Sequence, residues 1–129
     1  IHQSAEDYLE TILMLTQRMG RVRSIDVVNE LGYTKASVSI AMKKLRENGY
    51  IAVDGEGNLT LLEPGREIAE RIYSRHRLLT HFFVQLGVDE EVAAEDACKA
   101  EHILSEQTLK KIREYALLHD AEDSVQKSE

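Results

Sequence analysis

The sequence predicts a mainly α protein, an N-terminal winged helix-turn-helix followed by an all-helical domain. Three observations predict it. Apolar residues recur at three- and four-residue spacing through most of the 129 residues. Two helical stretches meet at a glycine turn, Gly32-Tyr33. Just after the second of them, the glycine-rich loop Asp54-Gly55-Glu56-Gly57-Asn58 separates two short extended pieces, which reads as a hairpin.

Residues 4–19 form the first predicted helix, with Ser4 as N-cap, Glu6 and Asp7 in the first turn, and Tyr8, Ile12 and Leu15 on an apolar face; Gly20 ends it. Ser24 is expected to cap a second helix that carries Asp26, Val27, Val28 and Leu31 up to Gly32. Thr34 is expected to cap a third, with Val38, Ala41, Met42 and Leu45 facing inward and Asn48-Gly49 as the stop. Extended pieces follow at Tyr50–Val53 and Leu59–Leu62. Pro64-Gly65 marks the passage into the second half, so the expected domains are residues 1–62 and 63–129. There a long helix runs from Arg66 to about Leu86, with Ile68, Ile72, Leu79 and Phe83 on one side. Further helices are expected from Asp89 to Leu104 and from Ser105 to about His119, with a frayed polar tail from Asp120 to Glu129.

Composition bounds the chemistry. Apolar residues at 43% and charged residues at 30% are ordinary for a globular chain, and no apolar run approaches the roughly 20 residues of a membrane span. The single cysteine excludes an intrachain disulfide and suits a reducing compartment. With no charged-then-apolar leader at its start, the chain is expected in the cytoplasm. The net charge of −7 is unevenly spread. Residues 18–46 hold seven basic groups against Asp26 and Glu30, whereas from Glu63 onward nine basic residues face fifteen acidic ones. A locally basic surface is what binds phosphate, whatever the sign of the remainder.

The third helix opens with Thr34, Lys35, Ala36 and Ser37 and continues to Ser39 and Ile40. Short hydroxyl and apolar side chains at the start of a recognition helix allow close approach to base edges, and Ala or Ile can meet a thymine methyl. Lys43, Lys44 and Arg46, with Arg21 and Arg23 before the second helix, are placed for phosphate. The alternative for such a helix is a solvated face, or a winged helix that binds protein. The order helix, glycine turn, helix, hairpin favours double-stranded DNA.

A second constellation suits a metal. Cys98, Glu101 and His102 stand at i, i+3 and i+4 in a stretch read as helix, hence on one face. Asp7 and Glu10 share a face of the first helix, and His76 lies on the long one. Thiolate, carboxylate and imidazole together suit a divalent transition metal. Each residue also has an ordinary reading: Asp7 and Glu10 favour a helix N-terminus, His76 sits on the surface between Arg75 and Arg77, and Cys98 is a small buried side chain.

The chain resembles the diphtheria toxin repressor and manganese transport regulator family of bacterial metalloregulators over nearly its full length. The resemblance rests on Glu6-Asp7-Tyr8-Leu9-Glu10, Leu61-Leu62-Glu63-Pro64-Gly65, Arg75-His76-Arg77-Leu78-Leu79 and Leu86-Gly87-Val88-Asp89-Glu90-Glu91. It continues through Asp96-Ala97-Cys98-Lys99-Ala100-Glu101-His102 and Leu104-Ser105. It implies a homodimeric transcriptional repressor that binds promoter DNA when loaded with metal and controls metal uptake genes, its second domain serving dimerisation and metal binding. It also implies a ligand set of Asp7, Glu10, His76, Cys98, Glu101 and His102. That set is a hybrid. The manganese branch has carboxylates at Asp7 and Glu10 but a glutamate where this chain has Cys98; the iron branch has the cysteine but a methionine in place of Asp7. The iron branch's ancillary site pairs His76 with Glu and His at positions that here are Thr80 and Ala94. Together with the two-domain length, the resemblance favours Mn(II), with Fe(II) next. No organic substrate and no enzymatic activity are expected. The competing reading is a metal-independent winged-helix regulator whose ligand positions are vestigial.

Overall fold

The computed structural model describes the backbone of residues 3–128 and the side chains of residues 3–121. The described chain is six helices and one hairpin, in the order α1 (Gln3–Met19), α2 (Ser24–Leu31), α3 (Lys35–Glu47), β1 (Ile51–Val53), β2 (Leu59–Leu61), α4 (Glu63–Gln85), α5 (Glu90–Ala100) and α6 (Glu106–Ser128). It divides into two compact units, residues 1–72 and 73–129, and the division falls inside α4.

In the first unit, α1, α2 and α3 pack on one another and the hairpin packs against α1 and α3. Leu9, Ile12, Val22, Val27, Val38 and Ile51 are fully buried, so the apolar stripes of the three helices close one core. Gly32, in the left-handed conformation at φ +70°, caps α2 and returns its N–H to the Val28 carbonyl (2.8 Å). Thr34 Oγ1 accepts from the Ser37 N–H (3.1 Å) and starts α3. β1 and β2 pair antiparallel with Ile51 opposite Leu61, and Arg23 bridges to Asn58, so the α1–α2 connection lies along the wing. Asp54 stiffens the wing tip by accepting from the Glu56 and Asn58 N–H groups (both 2.9 Å), which holds its carboxyl below the usual range, the Asn58 bonds first.

Several boundaries differ from expectation. The first helix begins at Gln3, so Ser4 lies inside it and is not its cap. Arg23, not Ser24, precedes α2, and its backbone N–H donates to Asp26 (2.9 Å). Pro64 and Gly65 fall in the first turn of α4, where proline's missing N–H would have had no helical partner. α5 stops at Ala100 and not at Leu104, and residues 101–104 form a turn held by Ile103 N–H on the Ala100 carbonyl (3.1 Å). Ser105 then accepts from Thr108 N–H (3.2 Å) at the start of α6, which stays helical to Ser128 instead of fraying near Asp120. The side chains beyond residue 121 lie outside the described residues.

In the second unit Leu79, Ala97 and Leu109 are buried together, one from each of α4, α5 and α6, with Leu78, Phe83, Ala100, Leu104 and Ile112 packed around them. That small core holds the end of α5 against α4. No helix among the described residues is long and apolar enough to cross a membrane.

Gly65 has a packing role. A Cβ there would collide with the Tyr50 carbonyl oxygen, which already accepts from Leu62 N–H (3.0 Å). Gly65→Ala should therefore cost roughly 1–3 kcal/mol, the range for forcing an extra carbon into a packed site. A thermal melt checks this, and an unchanged midpoint would mean that the start of α4 moves aside freely.

Candidate metal centre and nucleic-acid interface

α4 supplies His76, α5 supplies Cys98, and the turn after α5 supplies Glu101 and His102. Donor atoms of His76, Cys98 and Glu101 all lie within 4.8 Å of one another. His76 Nδ1 is 3.0 Å from Glu101 Oε2 and 3.7 Å from Cys98 Sγ. His102 Nε2 lies 3.4 Å from the other carboxylate oxygen, Glu101 Oε1, an ion-pair distance without hydrogen-bond alignment. The convergence arises in spite of the break in α5. Glu101 keeps a helical bond, N–H to the Ala97 carbonyl (3.0 Å), and its φ and ψ of −59° and −23°, so the i, i+3 relation to Cys98 survives one residue past the helix. His102 has left the helix and reaches Glu101 from the turn, contrary to the expectation of a single helical face.

The environment of Glu101 is the informative part. The residue is completely buried, and its Oε1 accepts no hydrogen bond among the described residues. Burying a carboxylate costs several kcal/mol unless a positive partner compensates. His76 is one such partner. Its pKa is raised from 6.5 to about 10, first by its hydrogen bond to Cys98, then by the bond to Glu101, against the lowering effect of burial. Imidazole ligates in its neutral form, so a metal ion taking Nδ1 displaces that proton. Cys98 is exposed, not buried as its alanine neighbours suggest, and so its sulfur is accessible to an incoming ion. A buried, incompletely bonded carboxylate, an imidazole and an accessible thiol fit a divalent transition metal.

Asp7 and Glu10 belong to the first unit. They stand one turn apart on α1, Asp7 half-buried and Glu10 buried, and both have interaction partners. Thr80 donates its hydroxyl to the His76 carbonyl (2.7 Å) and serves the helix backbone.

Thr34, Lys35, Ala36, Ser37, Ser39, Ile40, Lys43, Lys44 and Arg46 of the third helix are all exposed, as are Arg21 and Arg23 beside the wing. Ile40 is 59% exposed on a helix whose Val38, Met42 and Leu45 are buried, so its apolar side chain faces outward, where a base contact would use it.

Fold and donor set define a winged-helix DNA-binding protein with a metal-competent second half. Comparison with known proteins agrees. Residues 1–59 match the iron dependent repressor N-terminal DNA binding domain, and residues 62–120 match the iron dependent repressor metal binding and dimerisation domain. An uncharacterized HTH-type transcriptional regulator of Methanocaldococcus jannaschii is 35% identical over 113 residues, 86% of this chain and 90% of that protein. The HTH-type transcriptional regulator MntR of Lysinibacillus sphaericus is 32% identical over 127 residues, 98% of this chain and 91% of its own length. Among solved structures, a manganese-dependent transcriptional repressor in complex with manganese superposes with a TM-score of 0.79 at 28% identity, covering 87% of this chain and 52% of that one. The chain spans about half the length of that repressor and of the manganese regulator SloR, another solved structure that it matches.

The chain belongs to the iron-dependent repressor family, that of the diphtheria toxin repressor and the manganese transport regulators. It is a metal-dependent transcriptional regulator whose partners are DNA and a second copy of itself.

Two predictions follow from these surfaces. Adding Mn(II) should raise the melting temperature of the wild-type protein through ligand linkage and leave that of Glu101→Gln unmoved, as read by differential scanning fluorimetry. An equal rise in both would remove Glu101 from the site. Lys43→Ala should weaken binding to specific and non-specific duplexes alike and reduce the slope of log affinity against log salt by about 0.9. A change in base preference would instead place Lys43 on the bases.

Proposed function

We propose that this chain is a homodimeric repressor of metal-ion uptake genes, activated by Mn(II) with Fe(II) as the next candidate. Residues 1–62 are its DNA-reading domain and residues 63–129 its dimerisation and metal-binding domain. The observation that carries the reading is the fully buried Glu101 carboxylate set against His76 and beside an accessible Cys98. His76, Cys98, Glu101 and His102 are the ligands of the second domain, and Asp7 and Glu10 are the carboxylates that α1 contributes. The metal supplies the positive charge and directed bonds that hold these donors together. Metal binding would thereby be linked to DNA binding, each tightening the other, in a dimer whose two recognition helices meet half-sites about one turn of DNA apart. Thr34, Lys35, Ala36, Ser37, Ser39 and Ile40 face base edges. Arg21, Arg23, Lys43, Lys44 and Arg46 neutralise phosphates.

The choice of metal is a balance. Carboxylates at Asp7, Glu10 and Glu101 are hard ligands that suit manganese, and the solved manganese-dependent repressor shares the fold. The Cys98 thiolate is soft and favours iron, cobalt or zinc, which keeps Fe(II) close behind.

The test is an anaerobic titration of apo-protein with Mn(II), Fe(II), Co(II) and Zn(II), following binding to a fluorescent fragment of an uptake-gene promoter. DNA affinity should rise at least ten-fold with Mn(II) or Fe(II) and collapse on chelation. Affinity that is the same with chelator would make the ligand positions vestigial and the protein a metal-independent regulator.

A further inference from the structure

The geometry points to Arg75 as a positioning residue for the metal ligands Glu101 and His102, an inference that rests on the metal site proposed above. Arg75 sits on α4, one residue before His76, and its side chain is only 15% exposed. Its Nη1 donates to the backbone carbonyl of Glu101 (3.2 Å), while Nη2 pairs with Glu106 Oε1 in the first turn of α6. One guanidinium therefore joins α4, the end of α5 and the start of α6 at the turn that carries two ligands.

The carbonyl bond has a specific cause. α5 ends at Ala100, so the Glu101 carbonyl has no following helical turn to supply an N–H. Arg75 fills that role from 26 residues away. A charge-assisted bond to a carbonyl of the buried Glu101 fixes the turn, and with it the direction of the Glu101 side chain and the reach of His102. The contact with Glu106 contributes less, because that carboxylate is 80% exposed and exposed ion pairs are worth little. Lysine is a poor substitute at such a place. Its single ammonium lacks the planar fork that lets two nitrogens serve two acceptors held in fixed directions.

The sign of the effect separates positioning from charge. Arg75 is a cation next to a cation site, so removing it should tighten metal binding if only electrostatics matter. If Arg75 positions the turn, removing it should loosen binding, because partners that orient metal ligands typically contribute 10–100-fold in affinity. The two roles predict opposite outcomes for one substitution.

The experiment is an anaerobic Co(II) titration of the full chain as wild type, Arg75→Gln, Arg75→Lys and Glu106→Gln. It follows the visible cobalt spectrum and the thiolate-to-cobalt band, with the far-ultraviolet helix signal of each apo-protein as a check on folding. Arg75→Gln should bind about ten-fold or more weakly with an altered spectrum. Arg75→Lys should fall between it and wild type, and Glu106→Gln should stay near wild type. Equal or tighter binding by Arg75→Gln with an unchanged spectrum overturns the assignment. So does a loss in Glu106→Gln as large as that in Arg75→Gln. Should Arg75→Gln not fold, Arg75→Lys decides, with weakened binding in support and wild-type affinity against. A wild-type protein that binds no cobalt overturns the proposed site itself, and the role of Arg75 with it.

Discussion

A carboxylate placed where water cannot reach it organises the second half of this protein. Glu101 lies at the C-terminal cap of α5, completely buried, with His76 as the hydrogen-bonding partner of its Oε2. Everything around it reads as a response to that burial. His76 stays protonated far above its ordinary range, Cys98 adds its sulfur to the same imidazole, and His102 comes within ion-pair distance of the second oxygen. The Leu79, Ala97 and Leu109 core beneath is small, yet it is drawn from all three helices that meet at this point. A divalent cation would replace the imidazolium proton as the compensating charge, and a fold held by such a compromise is suited to responding to metal.

The first half works on different physics. Its core is a conventional closure of three amphipathic helices and a hairpin, and its surface does the recognising. The acidic total is no obstacle, because exposed basic residues are concentrated on α3 and beside the wing, while acidic residues predominate from Glu63 onward. Neutralising phosphates gives affinity without choice of sequence. In the function proposed above, choice comes from the small, exposed residues at the start of α3.

What could be read from the sequence was what is decided locally. Thr34 caps α3 because its hydroxyl needs only a backbone N–H three residues on, and Gly32 turns because no other residue takes that φ so cheaply. Family resemblance supplied the candidate ligand set, and local chemistry supplied the helix-turn-helix. Distant partners decided the rest. Nothing in Ala100-Glu101-His102-Ile103-Leu104 resembles a helix stop, since it holds no glycine or proline and keeps an apolar rhythm. The stop is legible only beside the Ser105 cap of α6 and the Arg75 guanidinium on the Glu101 carbonyl. The exposure of Cys98 was hidden for a similar reason. Ala93 and Ala97 take the buried positions of α5, and the next residue turns outward. Ser4 failed as a cap because α1 begins a residue earlier.

A metal-responsive regulator requires that the Glu101 centre and the DNA surface be thermodynamically coupled. The most direct measurement is the Mn(II) affinity of the protein by isothermal titration, alone and in complex with its operator duplex. Linkage requires DNA to tighten metal binding by the same factor by which metal tightens DNA binding. Matching factors of ten or more are the predicted result. A metal affinity that does not change when DNA is present would contradict the coupling, however tightly each ligand binds by itself.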